Sequence, residues 1–442
     1  MPDRACASID TVLAVTRFMP GIRIWPSIIA VLLFQVAATA QFVIAVDLRP
    51  ENSLSLRLAG DVADGRLDQF SLLEAALIAG GVSTSKQVAD AVQQFDQELH
   101  ASVRSVSNQL SGSDRVHLVF ECLHQRFLRG EYRADYSELH RTLADGHFNC
   151  VTSTILFRCL CQRLHVESEI VSSPGHVLCR VPGVSGHYIE TTCPECHLPE
   201  DDQQSPLKNA VELAGLRVIS DVELLGKVYY NRGVAGLEAK QYSQAVDLFA
   251  HAQQFDREDR AARDNLLAAL NNWALAECDD GRYETASSLI ARGFAIDSSH
   301  APLQVNDLHV HQKWVKSLCD RQLFSQAVGV LEAVFRRRPE ATPFRDGRLA
   351  VYGLWAESLF ARGEFPAGWR KLERGKQLYG MDQAVPGSLA NIELAAVLTA
   401  SERLIQSKRL ALAHELIDQA LARQRSNPDL LKRKGNLPKA DL

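Results

Sequence analysis

The chain has 442 residues, of which 46% are apolar and 23% charged, and its formal net charge is −5. This composition is typical of globular proteins and excludes a disordered or low-complexity chain. A net acidic chain lacks the basic field that phosphate backbones require, so we expect no nucleic-acid partner. The length allows two or three domains.

An uncharged apolar run, Ile24–Val46, follows Arg23 near the N-terminus. The small residues Ala38-Thr39-Ala40 within it are typical of a signal-peptide cleavage site. The run is also long enough to span a bilayer, which would make it an anchor. Residues 1–46 are therefore predicted to be a signal peptide or a membrane anchor. The rest of the chain is predicted to be exported, to the periplasm or cell envelope or as a secreted protein.

Residues 47–205 are predicted to form an α+β domain whose N-terminal part is helical. Helical periodicity is present in 70–79, 86–110 and 116–128, and Gly- and Ser-rich breaks separate these segments. The polar, proline-bounded segment that follows Cys196 favours a linker before the next domain.

A candidate nucleophile opens the next helical pattern. Cys150 ends the segment Asp145-Gly146-His147-Phe148-Asn149-Cys150 and begins a helix whose apolar positions recur to Leu164. Asn149 or Thr152 is the predicted helix cap. A thiol at a helix N-terminus is favoured as thiolate by the macrodipole. Asn149 and the backbone N–H of Cys150 are therefore candidate donors to an oxyanion.

Two predicted strands, 177–181 and 188–191, follow this helix and are separated by a Pro-Gly turn signal. An antiparallel hairpin centred near Gly183 or Val184 places His176 opposite or diagonal to Glu190. Both residue numbers are even, so the two side chains share one face of the hairpin. The sequence therefore predicts contact between the imidazole and the carboxylate.

These segments resemble the transglutaminase-like superfamily, and bacterial domains of the SirB1 type in particular. The matching residues are Cys150, Pro174-Gly175-His176 and Tyr188-Ile189-Glu190. The resemblance implies a papain-like α+β fold and a Cys-His-Asp triad, with Glu190 here in the place of the usual Asp. It implies Cys150 as nucleophile, His176 as general base and then acid, and Glu190 as the orienting carboxylate.

The implied activity is that of a cysteine hydrolase or transglutaminase-like acyl transferase, which attacks amide bonds as a protease, an amidase or a crosslinking enzyme. The alternative is a catalytically inactive transglutaminase-like scaffold for protein–protein interaction, because a fold can persist without its chemistry. Selective labelling of Cys150 by a thiol probe separates the two hypotheses.

The segment Cys193-Pro194-Glu195-Cys196-His197 has the C-x-x-C-H spacing. It allows a disulfide or a pair of reduced thiols, attachment of a c-type haem, or a zinc site that uses Cys193, Cys196 and His197. No second C-x-x-C lies nearby to complete a zinc site. We expect the first alternative, and hence neither a cofactor nor a metal.

Residues 220–430 contain a repeat with a period of about 41 residues. Trp273, Trp314 and Trp355 mark it. A second series recurs at the same period: Tyr242, Tyr283, Phe324 and Phe365, each followed three residues later by Ala or Gly. This pattern resembles tetratricopeptide repeats, whose usual period is about 34.

The repeat predicts an all-α solenoid of helix pairs in which the aromatic positions form interhelix core. A degenerate fifth unit with Leu410, Ala413, Leu416 and Ala420 caps the array, and residues 431–442 are a polar tail. Solenoids of this kind present a concave groove, so the expected partner is a protein or peptide.

Overall fold

A computed structural model describes residues 51–103, 112–182, 188–194, 216–380 and 386–438. All of them belong to one compact unit, Ile44–Leu442. The predicted signal peptide or anchor, residues 1–46, lies outside the described residues, as do Cys196 and His197. Among the helices in the described ranges, none has the length and apolar character needed to cross a membrane.

In the described ranges six α-helices precede the sheet: α1 Ser53–Asp61, α2 Leu72–Ala79, α3 Ser85–Val103, α4 Gly112–Cys122, α5 Leu139–Asp145 and α6 Cys150–Arg163. The predicted helical periodicity of this region is confirmed. Helix α2 is central, because seven of its eight residues are buried and it contacts α1, α3, α5 and α6. Its start is set by a capping box in which Ser71 and Glu74 exchange hydrogen bonds.

An antiparallel sheet of four strands follows, in the order β3-β2-β1-β4. The strands are β1 Glu169–Ser173, β2 His176–Arg180, β3 Tyr188–Ile189 and β4 Arg217–Ile219. Only β2 and β3 were predicted. Strand β1 pairs with β2 through the turn at Pro174-Gly175, where Gly175 has φ 79° and adopts the left-handed conformation that glycine tolerates best. Strand β4 pairs with β1 and lies between the predicted linker and the predicted repeats, where the sequence predicted no element.

From residue 220 onward the described residues contain helices and no strand. They form five antiparallel pairs and a final helix: α7 Asp221–Glu238 with α8 Tyr242–Phe255, α9 Arg260–Asp279 with α10 Tyr283–Ile296, α11 Ala301–Asp320 with α12 Phe324–Arg337, α13 Thr342–Arg362 with α14 Phe365–Gly380, α15 Pro386–Gln406 with α16 Leu410–Arg423, and α17 Pro428–Gly435. The predicted helical-repeat solenoid is confirmed.

Each repeat turns in the same way between its two helices. The residue two positions before the second helix has a positive φ in every pair: Lys240, Gly281, Gln322, Gly363 and Lys408. In four of the pairs the second helix then begins on the predicted aromatic residue. Tyr283 stacks on Trp314 with ring centroids 6.4 Å apart, and Phe324 stacks on Trp355 at 6.0 Å. The aromatic period therefore records contact between successive units.

The repeats share a hydrophobic core with the residues before them. Val222, Leu225 and Tyr229 of α7 are buried in the same cluster as the apolar side chains of α2 and α6. Arg158 of α6 also pairs with Asp221 at the start of α7, at 3.0 Å. Helix α7 therefore packs as part of both the α+β region and the solenoid.

The C-terminal end differs from the predicted polar tail over residues 431–442. Residues Pro428–Gly435 form α17, which begins at an Asn427 cap. Leu430 is buried against the last repeat, and Arg433 pairs with Glu402 at 2.5 Å. The polar side chains of this segment lie on the outer face of a docked helix, which is why its composition resembles that of a frayed end.

Candidate functional site

The site is built on the N-terminus of α6, where Cys150 is the first helical residue. Asn149 Oδ1 accepts hydrogen bonds from the backbone N–H groups of Val151 and Thr152, both at 3.0 Å. In return Thr152 Oγ1 accepts one from the N–H of Asn149. This capping box confirms the predicted start of the helix. It leaves the N–H of Cys150 without a hydrogen-bond partner among the described residues.

The side chain of Asn149 does not have the arrangement expected of an oxyanion donor. Its Nδ2 group donates to the carbonyl of Ala134 at 3.2 Å and to Ser137 Oγ at 3.0 Å, and the residue is buried. Both donors are used to hold the cap, so the assignment of this side chain to an oxyanion is corrected. The backbone N–H of Cys150 is the part of the predicted donor pair that stays available.

His176 and Glu190 meet across the hairpin, as predicted. Strand β2 pairs with β3 in the register Cys179↔Ile189, which sets His176 diagonal to Glu190 on one face. Nε2 of His176 lies 2.6 Å from Oε2 of Glu190. Both side chains are partly buried, with 29% of the imidazole and 15% of the carboxylate side chain exposed.

The carboxylate of Glu190 is held at both oxygens. Oε1 accepts hydrogen bonds from the N–H and Oγ1–H of Thr192, at 3.0 and 2.6 Å. Burial raises the pKa of Glu190, but the hydrogen bonds from His176 and Thr192 outweigh it and leave the pKa below its ordinary value. The neighbouring Thr191 hydroxyl is 2.8 Å from Ser153 Oγ, which ties this strand to α6. Glu190 is therefore an ionised acceptor in a fixed position.

The imidazole of His176 also interacts with the thiol of Cys150. That interaction is the largest influence on the ring, followed by the hydrogen bond to Glu190, and together they exceed the effect of burial and raise the pKa of His176 to about 10. The structure thus brings Cys150, His176 and Glu190 together. The arrangement suits proton transfer at a thiol.

Tyr132 is a residue at this site that sequence reasoning missed. Its hydroxyl interacts with Cys150, and 53% of the residue is exposed. It lies in a loop ahead of α5 and belongs to no periodic element, so the sequence carried no signal for it. A parallel β-bridge with Phe148 places it beside the segment that leads into α6.

The other described thiols differ from Cys150 in their surroundings. Burial raises the pKa of Cys122, Cys159, Cys161, Cys179, Cys278 and Cys319. Cys193 is disulfide-bonded, which agrees with the disulfide alternative for the C-x-x-C-H segment. Within the described ranges no group of His, Cys, Asp and Glu side chains is arranged to hold a metal ion.

Comparisons with known proteins give little further information. No protein-family model matches the chain, and no curated protein matches it. Among solved structures it is similar to YrrB, described as a TPR protein with an unusual peptide-binding site. The two chains are 12% identical, with 47% of this chain and 91% of the other covered and a TM-score of 0.18. A likeness this low carries no argument, so the solenoid assignment rests on the repeats themselves.

Proposed function

We propose that this protein is a cysteine-dependent acyl-transfer enzyme of transglutaminase-like type, with a helical-repeat region that binds a protein or peptide. The observation that carries the proposal is the 2.6 Å contact between His176 and Glu190 beside the thiol of Cys150. A thiol, a base and an orienting carboxylate in this order have the roles that nucleophilic catalysis requires.

In this mechanism the Sγ of Cys150 attacks the carbonyl carbon of an amide, and a C–S bond forms. His176, which takes up the thiol proton, then gives it to the leaving amine as the C–N bond breaks. Glu190 keeps Nε2 of the ring hydrogen-bonded and directs the other nitrogen toward sulfur. Water or a second amine resolves the thioester, so hydrolysis and crosslinking share every step up to the final acceptor.

The repeat region supports the binding part of the proposal. Helices α11 and α13 are the first helices of adjacent pairs, and they border a groove of about 420 Å³. The groove is mainly apolar, and its lining includes Leu308, Val315, Leu331, Phe344 and Leu354. Lys316 and Asp320 also line it, but they pair with each other at 2.5 Å. Such a surface favours an apolar peptide side chain over a charged one.

The test is competitive alkylation of the folded protein by iodoacetamide, followed by peptide mapping of every cysteine. We expect Cys150 to react fastest, because His176 beside it can take up the thiol proton. Half-buried Cys319 is the internal reference, since burial raises its pKa. A His176→Ala variant removes the base and is expected to abolish the difference. Equal reaction of Cys150 and Cys319 in the unmodified protein contradicts the enzyme and favours the inactive scaffold.

A further inference from the structure

The proposed reaction requires hydrogen-bond donors to the oxyanion, and so far the site supplies only one, the N–H of Cys150. Acyl-transfer sites usually stabilise the tetrahedral oxygen with more than one preorganised donor. The N–H of Cys150 is available, but the amide of Asn149 donates to Ala134 and Ser137. A second donor must therefore come from another element near the thiol.

We propose that the hydroxyl of Tyr132 is this second oxyanion donor, and the inference rests on the proposed acyl-transfer function. Tyr132 lies beside the thiol already, because its backbone bridges to Phe148, two residues before Cys150, and its hydroxyl interacts with Cys150 in the resting site. When sulfur bonds to a carbonyl carbon, the new oxyanion is two bonds from sulfur. The hydroxyl can then donate a hydrogen bond to this oxygen while it keeps its proton.

The backbone holds Tyr132 in this place. The loop that carries it runs beside the segment leading into α6, with Gly130 N–H donating to the carbonyl of Gly146 at 2.9 Å and Arg133 N–H to that of Phe148 at 2.7 Å. The rings of Tyr132 and Phe148 pack edge to face, with centroids 6.1 Å apart. The donor is therefore preorganised, as electrostatic stabilisation requires.

Two glycines make this close approach possible. A Cβ on Gly130 would lie 2.7 Å from the backbone nitrogen of His147. A Cβ on Gly146, whose φ is 83°, would lie 3.0 Å from the backbone nitrogens of Arg129 and Gly130. Neither position accepts a side chain without moving the loop. The spacing of the two segments, and with it the place of Tyr132, depends on both glycines.

The surroundings of Tyr132 also keep it a donor. Burial, and then the neighbouring Cys150 and Glu190, raise the pKa of its phenol, so the proton stays on oxygen at neutral pH. In the proposed reaction Tyr132 is thus a catalytic residue, because its hydroxyl contacts the oxyanion.

The test compares two reactions of the same thiol. Iodoacetamide alkylates Cys150 by displacement at a saturated carbon, which forms no oxyanion, whereas p-nitrophenyl acetate acylates it through a tetrahedral oxyanion. Intact mass and peptide mapping give both rate constants at Cys150. In Tyr132→Phe we expect acylation to slow by about 10²-fold, the effect of losing one oxyanion donor. Alkylation is expected to keep its rate or to rise.

Tyr242→Phe, which removes a hydroxyl in the first repeat, is the matched control and is expected to change neither rate. An unchanged ratio of acylation to alkylation in Tyr132→Phe would overturn the inference. A rise in both rates overturns it as well, because Tyr132 would then only cover the thiol. Failure of the proposed function has a different pattern: Cys150 of the unmodified protein would alkylate no faster than Cys319.

Discussion

Replacement of Glu190 by Gln is expected to lower the pKa of His176 substantially. The hydrogen bond from His176 to Glu190 is the second-largest influence that raises this pKa to about 10, after the interaction with Cys150. An adjacent opposite charge typically changes a pKa by about 1–3, so we expect a decrease in that range, worth roughly 1.4–4 kcal/mol. Gln keeps the size of the side chain, and its amide oxygen can accept from Thr192, but it removes the charge and places an NH2 donor where Oε2 accepted from His176.

The shifted pKa values of His176 and Glu190 also predict how folding stability depends on pH. Because the pKa of His176 is raised in the folded state, its stabilisation is fully present below about 6.5 and is lost as pH rises toward about 10. The pKa of Glu190 is lowered, so its contribution is present above about 4.5 and is lost in acid. Both contributions are fully present only between about pH 4.5 and pH 6.5, so Glu190→Gln is expected to reduce folding stability most in that range.

The measurement is NMR titration of ¹³C-labelled histidine rings, with the His176 signal assigned by a His176→Gln variant. Cys150→Ser serves as the second arm, since the interaction with Cys150 is the largest influence on the ring. The pKa of His176 is expected to fall in both Glu190→Gln and Cys150→Ser, and to fall further in Cys150→Ser. A His176 pKa near 6.5 in the unmodified protein, or one insensitive to both changes, would refute the triad geometry.

Two stability predictions concern the repeats, each measured as the free energy of unfolding in urea. Asp307→Ala is expected to cost about 3 kcal/mol, because it removes the carboxylate that pairs with buried His311 at 3.0 Å and with Arg338 at 2.6 Å. The control Asp320→Ala breaks an exposed pair and is expected to cost less than about 1 kcal/mol. Gly363→Ala is expected to cost about 2 kcal/mol, since φ is 87° and its Cβ would lie 3.1 Å from a guanidinium nitrogen. Gly281→Ala meets no neighbouring atom and is expected to cost about 1 kcal/mol. Equal costs within either pair of variants contradict the packing argument.

Several features could be predicted from sequence because their causes are local or periodic. The cap at Asn149 and the helix it starts depend on hydrogen bonds among Asn149, Val151 and Thr152. The contact of His176 with Glu190 follows from the two-residue period of a strand, which needs only the position of the turn. The repeat period likewise records contacts that recur between neighbouring units, such as Tyr283 on Trp314.

Other features were decided by contacts between distant segments. Whether the amide of Asn149 was available depended on acceptors in the loop before α5, which no local pattern connects to it. Strand β4 pairs along the edge of β1 that β2 leaves free, and its three residues are too few to predict a strand from their own pattern. Tyr132 reached the thiol through a bridge between two loops. The local sequence thus determined the helices, the predicted strands and the faces that their side chains share. The hydrogen-bond partners of Asn149 and the place of Tyr132 required the tertiary structure, because only packing brings residues from distant segments within reach.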